Sequence, residues 1–220
     1  MSKIVEGQSR HSRLTPGLSI AGAGLPAGSL GLIVHRADLT PYVLSAYHVL
    51  GSKRRPVLQP AVRDEGRHPE DLISSVLDAY VGSLGEAAIA PIVQGSGRTF
   101  ANRPFHDSGV LLSSVRSPVI GERLHKCGRT SGLSHGIVTR KGWQRSDLYP
   151  GLKIYGFYLR SDSGSGKVLT QGGDSGAVWY SRDDGAAVGL HLVGEKSGTE
   201  WAFACPLSGI MKKLGVHLSV

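Results

Sequence analysis

The residues with most chemical promise form the run Gly172-Gly173-Asp174-Ser175-Gly176, a serine set among glycines with an aspartate before it. Glycine tolerates backbone angles that other residues resist, so the chain can turn sharply here and aim its N–H groups into a cleft. The amides of Gly173 and Ser175 would then form an oxyanion hole beside the Ser175 hydroxyl. A tight turn ahead of the apolar Ala177-Val178-Trp179 stretch, with Asp174 as its turn residue, is the competing reading. A serine hydroxyl is a poor nucleophile at neutral pH. It needs a base to take its proton, and the base needs a carboxylate to fix its tautomer. His48 follows the apolar Tyr42-Val43-Leu44-Ser45-Ala46-Tyr47, where a strand end would present a base; alone, a histidine there is more often a satisfied structural residue. Asp107 precedes Gly109-Val110-Leu111-Leu112, and a carboxylate entering a buried strand is costly without a partner. A turn role is the alternative for Asp107, and Asp64, Asp71 and Asp78 compete for the acid's place. In chain order, His48, Asp107 and Ser175 suit nucleophilic acyl transfer.

These groups need a rigid scaffold, and the pattern around them is one of short apolar runs separated by turns. With 31 glycines and 11 prolines in 220 residues, it predicts an all-β protein. Residues 1–27 read as a polar, glycine-rich arm. Residues 28–34 and 42–45 form a hairpin, and 51–68 a loop rich in arginine and proline. His68-Pro69-Glu70-Asp71-Leu72 carries helix-start signals, predicting a short helix with Leu72, Val76, Leu77 and Tyr80 on one face. Residues 82–104 are glycine-rich and irregular, and 113–120 read as a crossover. A strand, glycine turn and strand follow over 121–138, with further strands over 152–160, 176–181, 186–193 and 200–205. Residues 206–214 close the chain as an amphipathic helix presenting Leu207, Ile210, Met211 and Leu214. Two consecutive strand sets imply two packed barrels. Residues 1–115 hold the arm, His48 and Asp107; residues 116–220 hold the nucleophile and terminal helix.

Composition narrows the function classes. The net charge of +8 is scattered, with only Lys53-Arg54-Arg55 and Lys212-Lys213 forming short runs, so a nucleic-acid partner is not expected. No run of about 18 apolar residues suggests a membrane span. The N-terminus enters polar sequence with no apolar leader, so a cytoplasmic location is expected. Cys127 and Cys205 are expected as buried thiols, a single bridge being the alternative. The nine histidines are dispersed, with no HExxH, CxxC or GxxxxGK motif, so neither metal nor cofactor is expected.

Taken together, Leu44–Leu50 (LSAYHVL), Asp107–Leu112 (DSGVLL), Cys127–Val138 (CGRTSGLSHGIV) and Gly172–Val178 (GGDSGAV) resemble the chymotrypsin-like serine peptidases, closest to their bacterial branch. Gly28–Val34, Pro56–Pro60, the Pro69–Leu72 segment and Val188–His191 add to the likeness, which runs from about residue 28 to the C-terminus. It implies one peptidase domain of two packed six-stranded antiparallel barrels with a short C-terminal helix. His48 becomes the general base, Asp107 its orienter, Ser175 the nucleophile, and Gly173 and Ser175 the oxyanion donors. Ser108-Gly109 after the aspartate departs from the family's usual pattern. So does Leu192, at the place where animal enzymes often carry a serine that hydrogen-bonds the aspartate; here that support is missing or supplied otherwise.

The resemblance also sets expectations for substrate. Leu169 stands at the base of the trypsin pocket, which argues against cleavage after Lys or Arg. Thr170 and His191 match positions where glutamate-specific relatives receive the substrate carboxylate; Val193 and Gly194 complete the pocket. His191 packed beneath the cleft, away from substrate, is the alternative. Lys3-Ile4-Val5-Glu6-Gly7 looks like a zymogen activation site whose new ammonium at Ile4 would pair with Asp174, or is a coincidence in a short string. The expected partner is a protein or peptide substrate, with regulation by a neighbouring protein left open. A catalytically silent binding module on the same fold, or an acyl-ester hydrolase, are the rival readings.

Overall fold

The computed structural model describes residues 6–93, 97–162, 168–194 and 201–219, and their regular secondary structure is almost entirely β. The second half closes on itself. Strands Arg123–Gly128, Gly132–Arg145 and Lys153–Ser161 form an antiparallel meander, Trp201–Pro206 pairs with the last of these, and Ala186–Gly194 and Val178–Tyr180 bring the circuit back to Arg123–Gly128. This six-stranded barrel is the one expected, and the strands fall where the apolar runs placed them. Closure leaves no open edge among these strands to attract another chain.

Where the sequence implied a second six-stranded barrel, the first half holds two four-stranded sheets, with Arg13–Leu14 paired in parallel to Thr99–Phe100 beside them. One orders Gly28–Ser29, Ser19–Gly22, Pro56–Leu58 and Leu72–Ser75; the other orders Leu32–His35, Pro41–Ser45, Gly85–Pro91 and Asp78–Gly82. They are stitched where Leu77 N–H donates to the Ile89 carbonyl (2.9 Å) and Gly31 N–H to that of Leu44 (2.9 Å). Other expectations change too: Gly85–Pro91 is a strand inside the 82–104 segment expected to be irregular. The arm is largely built into the body: Leu14, Leu18 and Ile20 are fully buried and Ser19–Gly22 is a strand.

The helix expected after Pro69 is instead a turn followed by strands Leu72–Ser75 and Asp78–Gly82. Asp71 and its neighbours do cap backbone groups, but those of a turn: Asp71 N–H donates to the Arg67 carbonyl (2.8 Å) and Arg67 N–H returns to the Asp71 carboxylate (2.9 Å). Edge pairing with Pro56–Leu58 then satisfies the backbone that a helix would have satisfied internally.

The main core joins Leu32, Val43, Leu44 and Ile89 to Val178, Leu190 and Phe203 of the barrel. The C-terminal helix, Leu207–Leu214, puts Leu207, Ile210, Met211 and Leu214 into that same core, so it clamps the two halves together. A smaller core of Leu124, Val138, Phe157, Leu159, Leu169 and Trp179 fills the barrel. Cys127 and Cys205 are free, buried thiols, and no helix is long and apolar enough to cross a membrane among the described residues.

Candidate active site

His48 sits in the helical turn Tyr47–Leu50 that ends the Pro41–Ser45 strand, where the sequence placed a base. Its carboxylate partner is Glu86, at the start of the neighbouring Gly85–Pro91 strand. One Glu86 oxygen meets His48 Nδ1, and the other accepts the His48 backbone N–H at 2.9 Å. The Glu86 side chain is 3% exposed. Such a buried carboxylate is tolerable only with donors around it, and here they fix the imidazole ring and its Nδ1–H tautomer.

Asp107, expected in this role, does not meet His48. It is buried and accepts the Tyr180 hydroxyl (2.7 Å) and the Arg182 guanidinium (2.9 Å), tying the loop before residue 110 to the barrel. The physical reason is the strand order. Gly85–Pro91 is hydrogen-bonded directly to Pro41–Ser45, Ser45 lying opposite Ala88, so Glu86 projects beside the turn that carries His48. The signal for it was present: Glu86 opens the apolar Ala87-Ala88-Ile89-Ala90 run, the same costly placement that pointed to Asp107.

Ser175 lies on the opposite wall of the cleft. With His48, Glu86, Leu192 and Val193 it lines a cavity of about 290 Å³ that continues along the Gln144–Leu148 segment. Its hydroxyl donates to the Leu192 carbonyl at 3.2 Å in this structure. The 172–176 loop is pinned from both halves. Ser29 N–H donates to the Ser175 carbonyl (2.8 Å), the Ser29 hydroxyl to the Gly173 carbonyl (3.0 Å), and Gly176 N–H to the His191 carbonyl (2.9 Å).

Two glycines are required here. Gly173 has φ of 102°, and at Gly176, with φ of 88°, a Cβ would stand 2.0 Å from Ser45 Oγ. Among the described residues, neither the Gly173 nor the Ser175 amide is bonded to a backbone carbonyl, which leaves both as donors for an oxyanion.

Asp174 is fully buried, and its cation is Lys126, whose Nζ lies 2.8 Å away and is equally buried. The backbone N–H groups of Gln171, Thr130 and Ser131 complete its shell at 2.9, 3.1 and 3.1 Å. Burial alone would raise this acid's pKa, but the Lys126 charge and the hydrogen bonds outweigh it and hold Asp174 well below the usual carboxylate range. Ile4, the other candidate cation, lies outside the described residues.

Next to Ser175 a second cavity, of about 330 Å³, is lined by Thr170, Gln171, Gly172, His191, Leu192, Val193 and Gly194. Gly194 is needed there because a Cβ would collide with the Thr170 methyl at 2.1 Å. Leu169, expected in this pocket, is instead buried in the barrel core, its carbonyl accepting the Ser134 hydroxyl at 3.0 Å. His191 is buried, and burial followed by the Lys126 charge lowers its pKa to about 3, so it is neutral at ordinary pH. Trp179 Nε1–H donates to its Nδ1 (3.4 Å), which puts the ring proton on Nε2 facing Thr170 Oγ1 at 2.6 Å. The Thr170 hydroxyl, having accepted that proton's bond, keeps its own hydrogen for an acceptor in the cavity.

No family model and no curated protein sequence matches the chain. Solved structures do. The fold is similar to Thermobifida fusca Protease A at a TM-score of 0.71 and 16% identity, over 94% of this chain and 99% of that one. A glutamic-acid-specific serine protease described as using a novel histidine triad in substrate binding aligns at 0.72 and 18%, over 94% and 100%. Cellulomonas bogoriensis chymotrypsin aligns at 0.67 and 16%, over 94% and 98%. The fold is that of the chymotrypsin-like serine proteases.

Proposed function

We propose that this chain is a serine endopeptidase that works through an acyl-enzyme, with His48 as base, Glu86 as its orienting acid and Ser175 as nucleophile. The observation that carries the reading is the buried Glu86 carboxylate on His48 Nδ1, facing Ser175 across one cavity. In the reaction, Ser175 leaves the Leu192 carbonyl and gives its proton to His48 Nε2 as its oxygen attacks the substrate carbonyl. Glu86 balances the imidazolium, and the Gly173 and Ser175 amides take the oxyanion. His48 then returns the proton to the leaving amine, and water releases the acyl group by the same route. The Lys126–Asp174 pair supports activity without a new N-terminus at Ile4, since the nucleophile loop already has its buried cation.

The Thr170–His191 pair supports a preference for an acidic residue before the scissile bond. Only one histidine lines this pocket among the described residues, so the substrate carboxylate would meet the Thr170 hydroxyl, backed by neutral His191, rather than a cluster of rings. Labelling by a fluorophosphonate, lost in Ser175→Ala and His48→Ala, combined with cleavage-site profiling on a peptide library, tests the whole reading. Labelling with ester but no peptide turnover would reassign the chain as an acyl-ester hydrolase. Absence of labelling would make it a binding module.

A further inference from the structure

The serine that often braces the catalytic acid in animal relatives is replaced here by Leu192, whose side chain is apolar and nearly buried. Glu86 nevertheless has a further donor. The hydroxyl of Tyr149 reaches the Glu86 oxygen that also accepts the His48 backbone N–H, at 3.0 Å. Tyr149 does not belong to the half of the molecule that carries His48 and Glu86. It lies on the loop joining the Gly132–Arg145 and Lys153–Ser161 strands of the barrel, which crosses the cleft to reach them.

That loop is tightly self-bonded. Ser146 Oγ accepts the N–H groups of Leu148 (3.2 Å) and Tyr149 (3.1 Å), Ser146 N–H donates to the Leu152 carbonyl, and Leu152 N–H to that of Tyr149 (both 3.0 Å). Its base is fixed to the turn just ahead of Glu86 by Tyr155 N–H donating to the Ser83 carbonyl at 2.8 Å. The Tyr149 ring leans on Tyr47, next to the base, with centroids 6.2 Å apart. On its other side the same loop offers Ser146, Asp147 and the exposed Leu148 to the cavity shared by His48 and Ser175. Burial and the Glu86 charge both push the Tyr149 hydroxyl's pKa up, so it stays a neutral donor.

We propose that Tyr149 is a positioning residue for the catalytic acid, and that the 146–152 loop thereby couples occupancy of the cleft to the orientation of His48. The loop wall that a substrate touches and the hydroxyl that braces Glu86 are neighbours in one rigid turn, so substrate seating presses Tyr149 onto the carboxylate. The kinetic part of this rests on the peptidase reading; the structural part does not.

The test combines proton NMR of the His48 Nδ1–H with kinetics. Tyr149→Phe, which removes only the hydroxyl, is expected to displace the Nδ1–H resonance and to lower kcat about 10-fold with KM within about two-fold, as for a lost hydrogen bond to a charged group. In a Glu86→Gln background the same change should alter kcat less than about two-fold, because the partner it acts through is gone. Leu148→Ala, which trims the wall without touching Glu86, should raise KM and leave the resonance in place. An unmoved resonance in Tyr149→Phe, or an equal loss of kcat with and without Glu86, would overturn the proposal. If the Phe variant does not fold, 3-fluorotyrosine at position 149 keeps the shape and strengthens the donor; a displaced resonance supports the proposal and an unchanged one overturns it. Wild-type protein that a fluorophosphonate fails to label would refute the peptidase reading, with the resonance still deciding the role of Tyr149.

Discussion

At the scale of single residues, the decisive contrast is between two buried acids with different partners. Glu86→Gln should lower kcat about 10,000-fold with little change in KM, since an amide at Nδ1 favours the wrong imidazole tautomer. Asp107→Ala should leave kcat within about three-fold but lower stability by about 1–3 kcal/mol, because the Tyr180 hydroxyl loses its acceptor inside the fold. Steady-state kinetics and denaturant titration of the two variants read this directly; equal kinetic defects would return the orienting role to Asp107. Thr170→Val should lower kcat/KM for a glutamate-directed peptide about 10- to 100-fold and spare its glutamine analogue, as expected for a hydrogen bond to a charged group. As candidates, His48 and Ser175 were legible because their types and order, and the glycines around Ser175, carry local meaning. Glu86 was not, although it obeys the same burial argument as Asp107. Choosing between the acids required knowing that Gly85–Pro91, and not the segment after Asp107, pairs with the strand leading to His48. That is a long-range pairing with no local sequence signal.

Elements show the same division between local and distant causes. The barrel strands and the terminal helix were readable from apolar periodicity, because each presents a face to a core it reaches directly. The helix expected after Pro69 failed because proline and acidic residues stabilise a turn as readily as a helical first turn, and the neighbouring Pro56–Leu58 strand decided the outcome. The 172–176 loop is likewise set from elsewhere in the chain, by a lysine on the Arg123–Gly128 strand that the motif itself does not contain. Lys126→Met should therefore destabilise the fold by about 3–5 kcal/mol, the cost of leaving a buried charge without its partner. It should also abolish fluorophosphonate labelling even in protein that remains folded, since Asp174 anchors the turn holding the Gly173 and Ser175 amides. Thermal unfolding and labelling at a temperature below the variant's midpoint separate the two effects. Full labelling of folded Lys126→Met would show that the loop does not need its buried cation.

For the whole molecule, the buried titratable groups set how stability follows pH. Burial lowers the pKa of His191 to about 3; burial, then the Arg182 and His135 charges, lower that of His125 to about 4. Unfolded histidine titrates near 6.5. Between these values the unfolded chain binds more protons than the folded one, so stability rises with pH. The contribution of each neutral ring is fully present above about pH 6.5 and is lost as the pH falls toward its folded value. The slope approaches about 1.4 kcal/mol per pH unit for fully buried His191 and is smaller for half-buried His125, where solvent screens the charge. Asp174, whose pKa is lowered in the fold, behaves in the same sense further down: its contribution is present above the unfolded carboxylate value near 3.9 and is lost below it. The melting temperature should therefore fall progressively from pH 6.5 to pH 4 and more steeply beneath that. Calorimetry at unit pH steps should show that His191→Gln is less stable at pH 7 but loses less on acidification, because no buried imidazole remains to be protonated on unfolding. A parallel acid dependence in the variant and the wild type would mean that the neutral state of His191 is not coupled to folding.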